Sequence, residues 1–204
     1  MCAMTWDPTP GYDERTALLV VDVQNDFADP EGSLFVPAGD TIVEPVNEQV
    51  RSARDGGATV VFTQDWHPER TPHFEPEGGT WPVHCVHGTW GAALHPGLLD
   101  EADLILRKGT TGADGYSAFT VRDPHTGATT PTGLAGYLTE REITTVVVVG
   151  LAADVCVRET ALDAVSAGFS TMVPWRCTRP VDPDAGSDAA HAMRQAGVQV
   201  VGAS

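Results

Sequence analysis

The sequence predicts an α/β protein: a three-layer sandwich with a mostly parallel, Rossmann-like six-stranded sheet. Three observations predict this fold class. Short runs of β-branched residues alternate with amphipathic stretches, as they do in βαβ units. The runs are apolar throughout and lack alternating polarity, which is typical of strands that helices cover on both faces. No linker or shift in composition divides the 204 residues, so we expect a single domain spanning residues 1–204.

Each predicted element has a local signal. The first strand is an apolar run, and glycines end two of the helices, at Gly56-Gly57 and at Gly168. The predicted strands are Ala17–Val23, Thr59–Thr63, Leu104–Arg107, Thr144–Val149, Ser170–Pro174 and Val198–Val201. The predicted helices are Glu44–Asp55, Leu134–Arg141, Cys156–Ala167 and Ala185–Ala196.

Three further stretches lie outside these elements. Residues 1–14 are predicted to be an N-terminal extension, and they lack the basic start and apolar core of a signal peptide. Asp26–Asp40 and Trp66–Leu98 are long and rich in proline and glycine. Loops of this length inside a compact domain usually carry function.

Composition excludes several classes of partner. A formal net charge of −16 argues against nucleic acid and against anionic membranes, because both require a basic surface. The longest apolar run, Val146–Ala153, is too short to span a bilayer. The four cysteines, Cys2, Cys85, Cys156 and Cys177, show no close pairing, which predicts a reducing, cytoplasmic location.

A carboxylate, an ammonium group and a thiol each follow a predicted strand. Asp22 follows "ALLVV", Lys108 follows "LIL", and Cys156 follows "TTVVVVGLAAD" at a helix start. Ligands of open parallel sheets bind beyond the carboxyl ends of the strands, so we expect these side chains to share one edge. A thiol there could act as a nucleophile, with Asp22 as its base. Taken alone, each residue is more often structural: a small buried cysteine, a cap or a solvated lysine.

Four potential metal ligands lie in one loop. Asp65, His67, His73 and His84 form an Asp-x-His-x5-His-x10-His run inside "QDWHPERTPHFEPEGGTWPVHCVHG". Oxygen and nitrogen donors without a thiolate suit a borderline divalent cation. The run is compatible with a closed structural site or with a site that keeps water positions open for catalysis.

These motifs resemble the nicotinamidase family within the isochorismatase-like cysteine hydrolases. The resemblance covers about residues 17–173, through "LLVVDVQNDF", "FTQDWHPERTPHF", "TWPVHCVHGTWGAALHPGL", "RKGTTGADGYSAF" and "VVVVGLAADVCVRETALDAVSAGF". It implies the isochorismatase-like fold and hydrolysis of nicotinamide to nicotinate and ammonia through a thioester, within NAD salvage. Pyrazinamide hydrolysis is an expected side activity, and a homo-oligomer is possible.

The resemblance also implies roles for individual residues. Asp22, Lys108 and Cys156 match the catalytic triad, and Asp65, His67, His73 and His84 match the ligands of one zinc, iron or manganese ion. Phe27, Trp81 and Tyr116 match the aromatic positions that line the ring pocket. The Leu151–Ala152 bond matches a cis peptide, with the N–H groups of Ala152 and Cys156 as an oxyanion hole. Val173–Asp182 departs from the family pattern and is expected to lie away from the site.

Other functions remain open from the sequence. A relative that hydrolyses a different small amide would share Asp22, Lys108 and Cys156 but would need no metal. A non-catalytic binding protein on this fold would be expected to lack the nucleophile or its base. A metal-storage or metal-sensing role has no evident switch in the loop.

Overall fold

The computed structural model describes residues 11–203. Residues 1–10 of the predicted extension lie outside this range. The remainder of the extension contacts the domain, since the Tyr12 hydroxyl donates a 2.9 Å hydrogen bond to the side chain of Gln49. In the described part of the chain, no helix is long and apolar enough to cross a membrane.

The strands and helices alternate as predicted. The strands are β1 (Thr16–Val21), β2 (Thr59–Asp65), β3 (Leu104–Lys108), β4 (Thr120–Arg122), β5 (Thr129–Pro131), β6 (Thr145–Leu151), β7 (Ser170–Pro174), β8 (Thr178–Arg179) and β9 (Gln199–Val201). The α-helices are α1 (Asn25–Ala28), α2 (Val43–Asp55), α3 (Leu134–Thr139), α4 (Cys156–Ser166) and α5 (Pro183–Gln195). Three 3-10 turns cover Gly39–Ile42, Glu75–Glu77 and Trp175–Cys177.

A parallel sheet forms the centre of the domain. Its order is β3-β2-β1-β6-β7-β9, and β8 pairs with the end of β6. The predicted α/β sandwich is confirmed, but the strand count of six is wrong, because the sheet has seven strands. The added strand, β8, is only two residues long and follows a 3-10 turn, so it leaves no periodic signal. The antiparallel β4–β5 hairpin, built from two three-residue strands, was also not predicted.

Two apolar layers enclose the sheet. On one face, α2 packs Val46, Val50 and Ala53 against strand residues that include Leu18 and Phe62. The other face carries α3, α4 and α5, whose contacts to the sheet include Leu138, Val157, Ala161 and Met193. Alternate residues of β1 and β6 therefore face opposite layers, and both strands are almost fully buried.

The strand order reverses direction between β1 and β6. From β1 the chain builds outward to β2 and β3, and it then crosses back to add β6, β7 and β9 on the other side. Ligands of doubly wound sheets bind at the carboxyl ends of the strands beside such a reversal. Asp22 follows β1 and Cys156 begins α4 after β6, so both residues lie at this point.

Candidate active site

The three residues that follow the predicted strands meet beyond the sheet. The Lys108 Nζ lies 2.7 Å from the Asp22 Oδ2 and 4.0 Å from the Cys156 Sγ. The Lys108 ammonium also donates to the carbonyl of Gly115. All three side chains are buried, with Asp22 fully enclosed and Cys156 8% exposed.

The backbone conformation at the end of β1 orients Asp22. Strand β1 ends one residue before Asp22, whose φ of 51° turns the chain out of the sheet. Asp22 tolerates this left-handed conformation better than a branched residue would. Its carboxylate accepts a 2.5 Å hydrogen bond from the Thr63 hydroxyl. Thr63 lies inside β2, where it reads as an ordinary strand residue, and the sequence analysis missed it.

The electrostatics favour an ion pair beside a neutral thiol. Burial alone would lower the pKa of Lys108, but Asp22, Cys156 and Asp65 together raise it, so the ammonium stays charged. Burial raises the pKa of Asp22, against the opposing effect of Lys108. Burial also raises the pKa of the Cys156 thiol well above its usual range, while Lys108 lowers it. Attack by Cys156 therefore requires transfer of its proton to a neighbouring base.

The four predicted metal ligands also meet. One potential ligand atom from each of Asp65, His67, His73 and His84 lies within 4.8 Å of all the others, and all four residues are buried. Register connects this cluster to the triad, because Asp65 and Lys108 are paired ends of β2 and β3. The Asp65 Oδ1 lies 3.9 Å from the Lys108 Nζ.

The donor groups of this cluster fit a divalent cation. The His67 and His84 Nε2 atoms converge on the Asp65 Oδ2, at 2.9 and 3.3 Å. A carboxylate oxygen and imidazole nitrogens this close together form the donor set that a borderline divalent cation takes. Although burial opposes it, Lys108 and His67 hold the pKa of Asp65 well below its usual value, so this ligand is ionised. Burial lowers the pKa of His73, which favours the neutral imidazole that binds metals.

Two of the histidines are held from outside the cluster. The His84 Nδ1–H donates a 2.7 Å hydrogen bond to the carbonyl oxygen of Pro82. The His73 Nδ1 lies 2.7 Å from the Asp114 Oδ1. Asp114 is buried and was not singled out from the sequence, because no spacing rule connects it to a histidine 41 residues earlier.

One mostly apolar cavity connects the thiol to the histidines. Its lining includes Cys156 together with Asp65, His73 and His84. The cavity is also lined by the predicted pocket residues Phe27, Trp81 and Tyr116, and by Leu34, Val36, Leu151, Ala152, Val155 and Val181. The Trp81 Nε1 donates a 3.0 Å hydrogen bond to the Tyr116 hydroxyl, which fixes the two rings relative to each other. The space suits a flat, mostly apolar molecule with a few polar atoms.

The turn between β6 and α4 presents two backbone N–H groups. The Leu151–Ala152 peptide is cis, as the resemblance implied. Ala152 and Cys156 both line the cavity. Within residues 11–203, neither of their N–H groups makes a hydrogen bond to a protein acceptor. Both are therefore available to an oxygen atom of a bound molecule.

The expectation that Val173–Asp182 lies away from the site is wrong. Strand β8 in this segment pairs with Gly150 and Leu151 at the end of β6. The Ala153 N–H donates to the carbonyl of Arg179 at 2.8 Å, and Val181 lines the cavity. The segment therefore supports the turn that carries Ala152 and forms part of the pocket wall.

Comparisons with known proteins agree with this geometry. The isochorismatase domain model matches residues 16–204. A nicotinamidase of Acinetobacter baylyi is 45% identical, in an alignment that covers 81% of this chain and 82% of that protein. The structure of PnC1 from L. infantum in complex with nicotinate is similar, with a TM-score of 0.86 and 38% identity over 95% of this chain and 96% of that one.

A second solved structure is similar to the same extent. Pyrazinamidase of Pyrococcus horikoshii, in complex with zinc, has a TM-score of 0.82 and 37% identity, over 92% of this chain and 98% of that one. The match to the domain model covers β1 through β9 and includes every residue of the cavity. The chain therefore belongs to the isochorismatase family.

Proposed function

We propose that this protein is a nicotinamidase, which hydrolyses nicotinamide to nicotinate and ammonia by covalent catalysis at Cys156. The observation that carries the proposal is the shared cavity, in which a thiol beside an Asp–Lys ion pair faces an Asp-and-histidine cluster. The similarity to a nicotinamidase and to a nicotinate-bound structure supports this choice of substrate.

The first half of the reaction forms a thioester. Asp22 takes the proton of Cys156, and the resulting thiolate attacks the carboxamide carbon of the substrate. The N–H groups of Ala152 and Cys156 hold the oxyanion, and one such donor contributes about 3–4 kcal/mol to lowering a barrier of this kind. Protonated Asp22 then gives its proton to the nitrogen, the C–N bond breaks, and ammonia departs. Lys108 stays protonated throughout and compensates the charge of Asp22.

The second half regenerates the enzyme. Asp22 takes a proton from a water molecule, and the hydroxide that forms attacks the thioester carbon. The C–S bond breaks, Asp22 returns a proton to the sulfur, and the nicotinic acid that leaves loses its carboxyl proton to solvent to give nicotinate. The same carboxylate thus serves as base and acid in both halves. It lies 2.7 Å from the Lys108 Nζ, which in turn lies 4.0 Å from the Cys156 Sγ.

We further propose that Asp65, His67, His73 and His84 hold one divalent ion, with zinc as the first candidate and iron or manganese as the others. The zinc-bound pyrazinamidase supports zinc, and the ligand set accepts all three. A bound ion would supply Lewis-acid attraction for the ring nitrogen and orient the substrate toward the thiol. Phe27, Trp81 and Tyr116 would pack against the ring.

We also propose a single catalytic domain that works in the cytoplasm. In the described part of the chain, Cys85, Cys156 and Cys177 form no disulfide. A nucleophilic thiol keeps its activity in a reducing compartment, which supports this location.

Ammonia release from nicotinamide tests the proposed function. The wild-type protein should release ammonia and nicotinate in equal amounts, and removal of metal with a chelator should strongly reduce the rate. Stoichiometric metal in the purified protein would separate it from a relative that hydrolyses a different amide without metal. Absence of hydrolysis by the metal-loaded protein would overturn the proposal.

A prediction follows for the ring nitrogen. Benzamide keeps a six-membered aromatic ring and the carboxamide but lacks the ring nitrogen. Its kcat/KM should be about 10- to 100-fold lower than that of nicotinamide, because loss of a buried polar interaction costs about 1–3 kcal/mol. Pyrazinamide keeps this nitrogen and should be hydrolysed at a rate closer to that of nicotinamide. Equal kcat/KM for benzamide and nicotinamide would contradict a role for the nitrogen in binding.

A second prediction concerns the metal ligands. His67→Ala should reduce the metal content of the purified protein and raise the KM for nicotinamide, because a buried ligand is lost. His125→Ala is the matched control, since His125 is exposed and lies outside the cluster. Elemental analysis of both variants measures the effect. Metal content in His67→Ala equal to that of the control would reject the ligand assignment.

A further inference from the structure

The β4–β5 hairpin places a second layer of charged residues behind one metal ligand. Asp114 is 4% exposed, and its two carboxylate oxygens have different partners. The Oδ1 accepts from the Nδ1 of His73 at 2.7 Å, and the Oδ2 accepts from the Nη2 and Nε of Arg122 at 2.8 and 3.1 Å. The carboxylate therefore bridges an imidazole and a guanidinium group.

The backbone fixes this arrangement as well. The Asp114 N–H donates to the carbonyl of Arg122 at 2.7 Å, and the Arg122 N–H donates back at 3.0 Å. Arg122 ends β4, which pairs with β5 in an antiparallel hairpin. The guanidinium carbon of Arg122 also lies 5.6 Å from the ring centroid of Tyr116, on the cavity wall. The hairpin thus contacts the ring pocket through Tyr116 and reaches the metal ligand His73 through Asp114.

We infer that Asp114 is a positioning residue for the metal centre, acting through His73, and that Arg122 acts through Asp114. Because the Nδ1–H of His73 donates a hydrogen bond to Asp114, the Nε2 of His73 is the nitrogen that is free to bind a cation. Such carboxylate partners orient the ring and increase its basicity, and their loss typically weakens metal binding by about 10- to 100-fold. The inference rests on the metal site in the proposed function.

The three histidines differ in this respect. His84 donates to a neutral backbone carbonyl, and the Nδ1 of His67 has no partner among the described residues. All three histidines lie in the Trp66–Leu98 loop, outside the strands, whereas Asp65 ends β2. Of the three, His73 is the one whose Nδ1 lies against a carboxylate from outside the cluster, that of Asp114.

Zinc affinity of the full-length protein tests this inference without reference to catalysis. Metal-free protein is titrated with Zn²⁺ in competition with a chromophoric chelator. Asp114→Ala should bind zinc about 10- to 100-fold more weakly than wild type. Asp114→Asn, which keeps an oxygen acceptor but loses the charge, should lie between the two. If Asp114→Ala does not fold, the zinc affinity of Asp114→Asn tests the inference in its place.

Asp163→Ala is the matched control. The Asp163 carboxylate accepts a 2.7 Å hydrogen bond from Thr120 on β4, so this variant also removes a side-chain contact of the hairpin but leaves Asp114 and His73 in contact. Its zinc affinity should equal that of wild type. Arg122→Met should weaken zinc binding less than Asp114→Ala does, and Arg122→Lys should recover part of the loss.

Several results would overturn the inference. Zinc binding by Asp114→Ala as tight as that of wild type would show that Asp114 does not support the metal site. If Asp163→Ala lost as much zinc affinity as Asp114→Ala, the role of Asp114 would be only general support of the hairpin. A zinc affinity of Arg122→Met equal to that of wild type would show that Arg122 does not act through Asp114. These failures are distinct from failure of the proposed function, in which the wild-type protein itself would bind no zinc or release no ammonia.

Discussion

Cys156→Ala is expected to lower nicotinamide turnover by at least about 10⁴-fold, because removal of a catalytic nucleophile typically leaves only the contribution of binding and oxyanion contacts. Zinc content and nicotinate affinity should stay close to wild type, since the sulfur is not among the four clustered ligands. Steady-state ammonia release and isothermal titration with nicotinate measure the two halves of this prediction.

Cys177→Ala provides the comparison. Cys177 is fully buried in the apolar layer that contains α2, and unlike Val181 of the same segment it does not line the cavity. Its replacement should cost some stability and leave kcat unchanged. Substantial hydrolysis by Cys156→Ala, at a rate near that of the Cys177 variant, would defeat the covalent route and favour direct attack by water.

Asp22→Asn is expected to combine a large loss of activity with a loss of stability. General acid–base catalysis contributes about 10²- to 10⁴-fold, and Asp22 acts in both halves of the proposed reaction. The change also leaves Lys108 buried without its 2.7 Å partner. Breaking a buried ion pair costs about 3–5 kcal/mol, and the value here should be at the lower end because Asp65 lies 3.9 Å away.

The double variant Asp22→Asn/Lys108→Met separates these two effects. Replacing the whole ion pair removes the uncompensated charge, so much of the lost free energy of unfolding should return. Activity should not return, because the proton acceptor is still absent. Denaturant unfolding and kcat measured on wild type and both variants test this, and recovery of activity in the double variant would contradict the assigned role of Asp22.

Much of the site could be predicted because of where its residues fall in the chain. Asp22, Lys108 and Cys156 each follow an apolar run, and parallel strands bring their carboxyl ends to one edge. The metal ligands are close in sequence, so their types and spacing indicate the chemistry directly. The identity of the ring-pocket residues came from the resemblance, and the structure places all three on the cavity wall.

The residues that sequence analysis missed act through tertiary contacts alone. Thr63 lies within a buried strand, and its bond to Asp22 depends on the pairing of β1 with β2. Asp114 reaches His73 only because a hairpin of two three-residue strands, too short for a periodic signal, brings Arg122 against it. Val181 lines the cavity because the two-residue strand β8, which ends two residues before it, pairs with the end of β6.

The acyl-enzyme itself is the most direct measurement of the central claim, that Cys156 attacks a substrate held beside the metal ligands. Metal-loaded enzyme in excess is mixed with nicotinamide, quenched in acid at successive times and examined by peptide mass spectrometry. We expect a transient nicotinoyl group on the peptide that contains Cys156, with its rise suppressed by chelator and lost in Cys156→Ala. Complete conversion of substrate while Cys156 remains unmodified at every time, together with turnover by Cys156→Ala, would contradict the account.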